Sequence, residues 1–564
     1  MFKHYLEPLK KNTESFFKKY GFVTFIFLVV PYYVLIPLFK YETWPAGHDS
    51  SGTIFNFWSM VKILREDFHF PINWQVENFS YNGNPYWAFY QPLSYAMIYF
   101  MSLFTSLFDR NYVFLAAKAA VYLSFLISEL GMFFLLRTIF RTSTIRDLVS
   151  SYGAIIYLLA PYRFVDLYSR NAYSEVWVFP WTPIYLLGFY KLFFLKETNG
   201  WIILALSTAC LFLSHLMPSF FFVMITHLGF LAFLIFKKDL IGYIRRNKKI
   251  IIWWIIANVV GMGLSSFYIF PAMKNVKLLM GDNVGFDRIN LQHVLDHISW
   301  CFSMLDPLNF AGAWQVGQVY LLGIVVLNFL LLGKRETEHK DLMVFLNASV
   351  FITFLFLMSK TLWEHLPPLF YSLQFSWRLF FVYSVFGSVI VALLVNELKI
   401  KIPLLLIFLA FHFYTGERFL HFGGGDVVAA HYDTESWLNE INRKFYTTCN
   451  GGGSSHSFLS KTTYPALFNF KHADELGKLE KVSNTYLLNL KPGTNIISHK
   501  HYGNTFVYDL LLDSPAFLVF KQYFYPTWEL YIDSKKSKDL YLTDAGYIGF
   551  EVPSGRHLIK IRSN

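Results

Sequence analysis

Long apolar stretches separated by short basic clusters are the feature that most constrains the fold of this chain. The first stretch runs from Gly21 to Phe39, and this length is enough for a helix to cross the hydrocarbon core of a bilayer. Hydrophobic residues make up 54% of the chain and charged residues only 15%, a balance that excludes an ordinary soluble protein. The sequence therefore predicts an α-helical polytopic membrane protein.

The basic residues indicate how the chain is oriented in the membrane. Lys10, Lys11, Lys18 and Lys19 precede the first apolar stretch, which predicts a cytoplasmic N-terminus. Because the later Lys and Arg clusters also lie in short loops between apolar stretches, we interpret them as cytoplasmic turns and expect no nucleic-acid partner. About eleven spans and an external C-terminus follow from this orientation. The predicted spans lie near residues 21–39, 112–136, 148–163, 177–195, 201–216, 218–236, 250–270, 319–333, 343–359, 379–396 and 402–415.

The first external loop contains two further apolar segments. Residues 90–108 are apolar enough to cross the membrane, but a crossing would put the basic cluster that follows on the outer side. We therefore predict a re-entrant or interfacial element there, interrupted by prolines. Between Thr53 and Phe68 the apolar side chains recur at helical spacing, which predicts an amphipathic helix lying flat on the outer leaflet.

An aspartate, Asp49, follows the first span at its outer end. A carboxylate at the level of the lipid head groups is well placed to act as a general base or a metal ligand for a lipid-borne substrate. The alternative is that Asp49, or the neighbouring Ser50, caps the helix that follows, since both residue types are favoured N-caps. The sequence leaves both interpretations open.

A second charged group lies in the next external loop. If that loop is helical, Arg163, Asp166 and Arg170 share one face, and Glu175 follows shortly after. One interpretation is an interfacial ladder of salt bridges. The other assigns the acids to an acceptor or a metal ion and the arginines to a phosphate.

The chain changes character after about residue 415. Glycine-rich stretches punctuate a polar region, and the last residues alternate in the manner of strands, with a turn at residues 553–555. We therefore predict two domains: a transmembrane domain with its external loops at 1–415, and a small external β-sandwich at 416–564. Trp528 and Tyr531 could stack on sugar rings, but aromatic residues of a small domain more often fill its core, which is the interpretation favoured here.

Several short motifs, in a fixed order, resemble a known group of membrane proteins. They are Asn82-Gly83-Asn84-Pro85 with Tyr90-Gln91-Pro92-Leu93, Pro161-Tyr162-Arg163 with Arg170 and Glu175, Gln374-Phe375-Ser376-Trp377-Arg378, and Tyr525-Pro526-Thr527-Trp528. Together with the acid after the first span, this order resembles the GT-C superfamily of membrane glycosyltransferases. It is most similar to the bacterial YfhO-like proteins, also labelled 6-pyruvoyl-tetrahydropterin synthase-related, a label that implies no pterin chemistry.

The resemblance implies an enzyme of GT-C fold that transfers a sugar from a polyprenyl-phosphate carrier to a cell-envelope glycan or lipid at the outer face of the cell membrane. Asp49 is then the expected base. The expected substrate-binding residues are His48, Arg163, Asp166, Arg170, Glu175 and Arg378. The metal requirement is left open, with a divalent cation as the one cofactor considered. The alternatives are a transporter of lipid-linked sugars and a non-catalytic envelope assembly protein.

Arg378 directly follows Trp377 where the chain is predicted to re-enter the membrane from outside. A guanidinium at this depth can bind a lipid phosphate through two parallel hydrogen bonds. The competing explanation is that Trp and Arg both anchor the end of a span. Phosphate binding is favoured because the pair lies within one of the family-like motifs.

Overall fold

A computed structural model describes most, but not all, of the chain. The description covers residues 27–40, 44, 47, 49–77, 83–108, 112–237, 240–275, 317–333, 337–420, 485–488, 490, 492–543 and 546–563.

The chain divides into two compact units, each made of three segments. The first unit comprises residues 1–53, 114–265 and 288–429, and the second comprises residues 54–113, 266–287 and 430–564. This division differs from the predicted one, which placed all of residues 1–415 in a single domain. Most of the first predicted external loop belongs instead to the unit that contains the C-terminal strands.

Helices dominate the described residues up to 420. Their bounds are Phe27–Lys40, Ser50–Glu66, Tyr86–Phe89, Pro92–Thr105, Tyr112–Ile139, Arg146–Leu158, Pro161–Phe164, Tyr173–Val176, Trp181–Phe193, Gly200–Ser214, Leu216–Phe236, Leu240–Arg246, Lys248–Asn275, Gln318–Leu332, Lys340–Met358, Lys360–Glu364, Phe380–Leu398 and Ile402–Leu420. A π-helix spans Val165–Arg170, and 3₁₀ turns span Pro368–Leu373 and Ser376–Leu379.

Five helices in the described part of the chain are long and apolar enough to cross a membrane, or six if the bent pair Arg146–Leu158 and Pro161–Arg170 counts as one span. All of them fall on predicted spans. The other predicted spans also coincide with helices, but the apolar helical stretches there have only 13 to 15 described residues. The total of about eleven spans therefore stays a prediction.

The helix Ser50–Glu66 coincides with the predicted amphipathic segment, but its surroundings differ from the expectation. Phe57, Val61 and Leu64, on its apolar face, are at most 2% exposed because other parts of the protein cover them. Phe57 packs on Tyr95, with the ring centroids 6.0 Å apart. The prediction that this face lies on the outer leaflet is wrong, because protein already covers it.

Two antiparallel sheets form the C-terminal part of the second unit. The strands are β1 (Leu487–Leu488), β2 (Thr494–Tyr502), β3 (Thr505–Leu512), β4 (Ala516–Tyr523), β5 (Trp528–Ile532), β6 (Lys535–Ser537), β7 (Tyr541–Leu542), β8 (Tyr547–Val552) and β9 (Gly555–Ser563). One sheet has the order β1-β4-β8-β7 and the other β2-β3-β9-β5-β6. The predicted turn at residues 553–555 joins β8 to β9 and so connects the two sheets.

The core between the sheets includes side chains from the first loop. Trp74 and Val76 are fully buried among the apolar side chains of the strands. The Trp74 indole donates a hydrogen bond to Gln522 (2.7 Å), and its carbonyl accepts one from Asn504 (3.0 Å). Trp528, 4% exposed, packs edge-on against Trp74, which confirms the interpretation of Trp528 as a core residue. The first loop thus completes the hydrophobic core of this unit.

Candidate functional site

The segment after the first helix is held against a turn in the second predicted external loop. Three hydrogen bonds hold it there: from Trp44 Nε1 to Asn171 Oδ1 (2.6 Å), from Thr53 Oγ1 to the Asn171 carbonyl (3.0 Å), and from the Asp49 amide to the Arg170 carbonyl (2.8 Å). Asn171 has a left-handed backbone (φ 58°), which asparagine tolerates better than most residues. Asp49 is therefore fixed beside Arg170 through its backbone, and its side chain is partly exposed.

Gly47 allows this close approach. A β-carbon at this position would lie 1.8 Å from the Asn171 amide nitrogen and 3.1 Å from the Ser169 carbonyl oxygen. The Asn171 side chain is already bonded to Trp44, so it cannot move away without losing that hydrogen bond.

We expect Gly47→Ala to lower the free energy of unfolding by about 1–3 kcal/mol, the usual cost of overpacking. Thermal unfolding of the purified protein measures this effect. Gly52→Ala is the matched control, because a β-carbon at this helical position would meet nothing within 4 Å. That variant should be neutral or slightly stabilising, since alanine favours a helix over glycine by about 1 kcal/mol. Equal stability of both variants would contradict the close packing at Gly47.

Arg170 is the centre of a group of buried charges that we call the charged cluster: Asp166, Arg170, Glu175 and Arg378. The Arg170 guanidinium donates to Asp166 (2.5 Å) and to both oxygens of Glu175 (2.7 and 2.9 Å). It also lies over the Trp377 ring, 4.4 Å from the centroid. Because its side chain is 5% exposed and several of its nitrogens are engaged, Arg170 acts as the structural centre of the cluster.

Arg378 approaches the same carboxylate differently. Its Nε lies 3.1 Å from Glu175 Oε1, close enough for an ion pair, but not in hydrogen-bond geometry. No hydrogen bond joins the terminal nitrogens of Arg378 to another described residue. The side chain is 13% exposed, more than that of Arg170. Arg378 therefore keeps donors available for a further anion.

Glu175 is ionised within this cluster. Burial alone would raise the pKa of its carboxyl group, but Arg170 and Arg378 more than offset this effect and lower the pKa to about 2. Both carboxylate oxygens accept from Arg170, and the Tyr162 hydroxyl also donates to Oε2 (3.2 Å). Glu175 thus supplies one negative charge, which Arg170 and Arg378 share, at neutral pH.

Arg163 lies apart from the charged cluster. Its guanidinium donates to the Ser128 hydroxyl (2.9 Å) and lies 3.6 Å from the centroid of the Phe125 ring. The side chain is completely buried. The chain passes from an α-helix into a π-helix at Val165, so the residue spacing between Arg163 and Arg170 differs from that of a regular α-helix. A phosphate-binding role for Arg163 stays a prediction.

A family model described as "6-pyruvoyl-tetrahydropterin synthase related domain; membrane protein" matches residues 87–418. The chain belongs to this family. The match confirms the family resemblance drawn from the sequence motifs. It includes the whole charged cluster, whereas Asp49 and the C-terminal strands lie outside the matched range.

Among solved structures, this family member is similar to the oligosaccharyltransferase of Archaeoglobus fulgidus. In that crystal structure the oligosaccharyltransferase is tethered via a disulfide bond to an acceptor peptide that contains the NVT sequon. The sequences are 12% identical, and the TM-score is 0.39. The similarity covers 83% of this chain but only 59% of the oligosaccharyltransferase chain. A comparison with curated proteins finds no match.

The predicted site residues of this family member have different surroundings. Asp166, Arg170, Glu175 and Arg378 come together, and Asp49 is bonded to the backbone of Arg170. His48 lies outside the described residues. Within the described ranges, no group of three or more His, Cys, Asp or Glu side chains could hold a metal ion, so the cation considered from the sequence stays a hypothesis.

Sequence reasoning treated His215 as a satisfied residue at a helix interface, but its surroundings are different. His215 is an extended residue between the helices Gly200–Ser214 and Leu216–Phe236. Its Nδ1 is buried and has no hydrogen-bond partner among the described residues. The charged groups that act on its ring are Glu175, Arg378 and Arg170, all of them in the charged cluster. One sequence feature could have pointed to His215 as a functional residue: it lies at a break between two apolar segments, three residues before Pro218.

Proposed function

We propose that this protein is a membrane glycosyltransferase that moves a sugar from a polyprenyl-phosphate carrier to a cell-envelope glycan or lipid. In this proposal the reaction takes place at the outer face of the cell membrane, with the N-terminus in the cytoplasm and the C-terminal strands outside. Membership of a family of membrane proteins supports the location in the membrane. The chemistry is inferred from the residues around Asp49.

The observation that carries the proposal is the hydrogen bond between the Asp49 amide and the Arg170 carbonyl (2.8 Å). It holds a partly exposed carboxylate at one side of the charged cluster, while Arg378, with uncommitted donors, belongs to the same cluster through Glu175. Sugar transfer from a lipid phosphate needs a base for the acceptor hydroxyl and a positively charged side chain for the phosphate, and Asp49 and Arg378 are the candidates for these two roles.

The proposed reaction is an inverting displacement. The acceptor hydroxyl attacks the anomeric carbon as Asp49 takes its proton, and a new bond forms between the acceptor oxygen and the sugar. The bond between the sugar and the phosphate oxygen breaks, and its electron pair leaves on the lipid phosphate. Arg378 stabilises the negative charge that develops there. A divalent cation at the phosphate is compatible with this scheme but is not required by it.

Substitutions of Arg378 can distinguish phosphate recognition by its guanidinium from simple anchoring of the chain at the membrane surface. We expect Arg378→Lys, which keeps the charge but loses the forked geometry, to weaken binding of a polyprenyl-phosphate donor about tenfold. Arg378→Gln should weaken it further, because it also removes the charge. Donor binding is measured on purified protein in lipid nanodiscs. Arg556→Gln is the control, since Arg556 is a largely exposed residue paired with Asp509. Unchanged donor affinity in both Arg378 variants would leave Arg378 as an interfacial anchor.

The function itself is tested in cells that lack the protein, by comparing their surface glycans and lipid-linked sugars with those of complemented cells. Loss of one glycan linkage with accumulation of its lipid-linked sugar on the outer face supports transfer. Accumulation on the cytoplasmic face would favour a transporter, the alternative suggested by Glu129. This residue lies in the candidate span Tyr112–Ile139, and both its carboxylate oxygens are buried without a hydrogen-bond partner among the described residues. Unchanged glycans and lipids would contradict both functions.

A further inference from the structure

The proposed sugar-transfer reaction assigns no role to His215, which lies at a break between two helices. Its backbone is extended (φ −160°, ψ 108°), so it interrupts the helical path between Gly200–Ser214 and Leu216–Phe236. The preceding residue, Ser214, accepts a hydrogen bond from the Trp181 indole (3.1 Å). The His215 carbonyl accepts one from the Ser219 amide (3.2 Å). The break is therefore held in place from both sides.

The helix that begins after His215 packs against the segment that contains Arg378. Phe220 and Phe221, in its second turn, each lie 5.7 Å from Phe370 between ring centroids. Phe222 lies 6.2 Å from Phe381. Because Phe370 and Phe381 lie on either side of Arg378 in the sequence, these contacts bring the start of the helix, and His215 with it, close to Arg378.

The His215 ring has a buried nitrogen without a hydrogen-bond partner among the described residues. It makes no capping hydrogen bond to the helix that follows it. Its Nδ1 is shielded from solvent, and no described residue bonds to it, whereas the residue as a whole is partly exposed. A buried ring nitrogen without a partner is costly, because it loses its hydrogen bond to water without gaining another. An incoming ligand that bonds to the imidazole would remove this cost.

The ligand chemistry follows from the neighbouring charges. Glu175 already balances part of the charge of Arg378, so Arg378 alone offers a phosphate less attraction than an isolated guanidinium does. A neutral imidazole adds one N–H donor without adding a buried charge. The positive end of the helix Leu216–Phe236 also begins beside His215 and favours an anion there.

We propose that His215 and Arg378 together bind the phosphate of the lipid carrier, with the imidazole donating a hydrogen bond to a phosphate oxygen. This inference rests on the proposed function and adds a second phosphate ligand to it. When the bond between sugar and phosphate breaks, the released oxygen gains negative charge, and the hydrogen bond from His215 strengthens as that charge develops. The proton of the acceptor goes to Asp49, so His215 donates a hydrogen bond but transfers no proton.

The test uses the full chain in nanodiscs and two probes, polyprenyl monophosphate and inorganic phosphate. His215→Phe keeps a ring but removes the donor, and it should weaken binding of polyprenyl monophosphate tenfold or more. His215→Asn keeps an amide donor and should lose less. Inorganic phosphate should compete with the lipid in the unsubstituted protein and compete more weakly in both variants. Competition that is unaffected by the substitutions would show that the imidazole contacts some other part of the lipid, which overturns the assignment to phosphate.

His227→Gln is the matched control for folding. His227 lies further along the helix that follows His215, and its Nε2 accepts a hydrogen bond from the Trp254 indole (2.9 Å). This substitution should lower thermal stability and leave lipid binding unchanged. If the unsubstituted protein binds polyprenyl monophosphate and both His215 variants bind it equally well, the His215 inference fails and the proposed function survives. If the unsubstituted protein does not bind the lipid, both fail.

Discussion

Asp49→Asn is expected to fold and insert like the unsubstituted protein and to lose at least about 100-fold of its sugar-transfer rate, the lower end of the range for a general base. Folding should survive because the asparagine amide nearly preserves the size of the carboxylate and the backbone contacts of Asp49 are kept. Its amide bonds to the Arg170 carbonyl, and its carbonyl accepts from the Thr53 amide (2.9 Å). Neither contact depends on the carboxylate. The rate is measured with reconstituted protein and a labelled polyprenyl-phosphate sugar.

This substitution also separates the two interpretations of Asp49 that the sequence left open. Asparagine caps a helix about as well as aspartate does, so a role limited to capping predicts normal transfer by Asp49→Asn. Asp539→Asn, the same chemical change at an exposed residue of the second unit, controls for the general loss of one negative charge. Full activity of Asp49→Asn would disprove its role as the base. A chelator added to the unsubstituted enzyme tests the metal-ligand role, since activity should fall only if a cation is needed.

The helices were the part of the fold most accessible from sequence. Long apolar stretches have few alternatives in a membrane, and each predicted span coincides with a described helix. The amphipathic pattern after Thr53 correctly predicted a helix, but an apolar face looks the same in sequence whether lipid or protein covers it. The burial of Trp74 and Val76 was not visible in the sequence either, because nothing local shows that strands more than 400 residues later complete their packing.

The candidate site was predictable in composition but not in arrangement. The sequence identified the residues of the charged cluster, and one of the two interpretations of Arg170, the salt-bridge ladder, paired it with acids. It could not distinguish Arg163 from Arg170, because the π-helix at Val165–Arg170 shifts the residue spacing and leaves Arg163 beside Ser128 and Phe125. It also could not show that Arg170 is committed to acids while Arg378 keeps free donors, since this depends on contacts between distant segments.

Glu175→Gln is expected to have the largest effect on stability. Glu175 is paired with the buried Arg170 and the partly exposed Arg378, and removing one partner of a buried ion pair usually costs about 3–5 kcal/mol, because the remaining charges lose their compensation. Thermal unfolding measures the loss. Glu364→Gln is the matched control: it removes a carboxylate from an exposed pair with Lys360 (4.0 Å), where the median contribution is about 0–1 kcal/mol.

Acid should reproduce the effect of Glu175→Gln only at very low pH. The folded-state pKa of Glu175 is lowered to about 2, below the ordinary value of 4.5. Its contribution to stability is therefore complete above the ordinary value and is lost as the pH falls through about 2. The difference in stability between Glu175→Gln and the unsubstituted protein should thus be the same at pH 7 and pH 5. If Glu175→Gln instead keeps normal stability and loses activity per folded molecule, Glu175 binds the acceptor or a cation directly, as its sequence context first suggested.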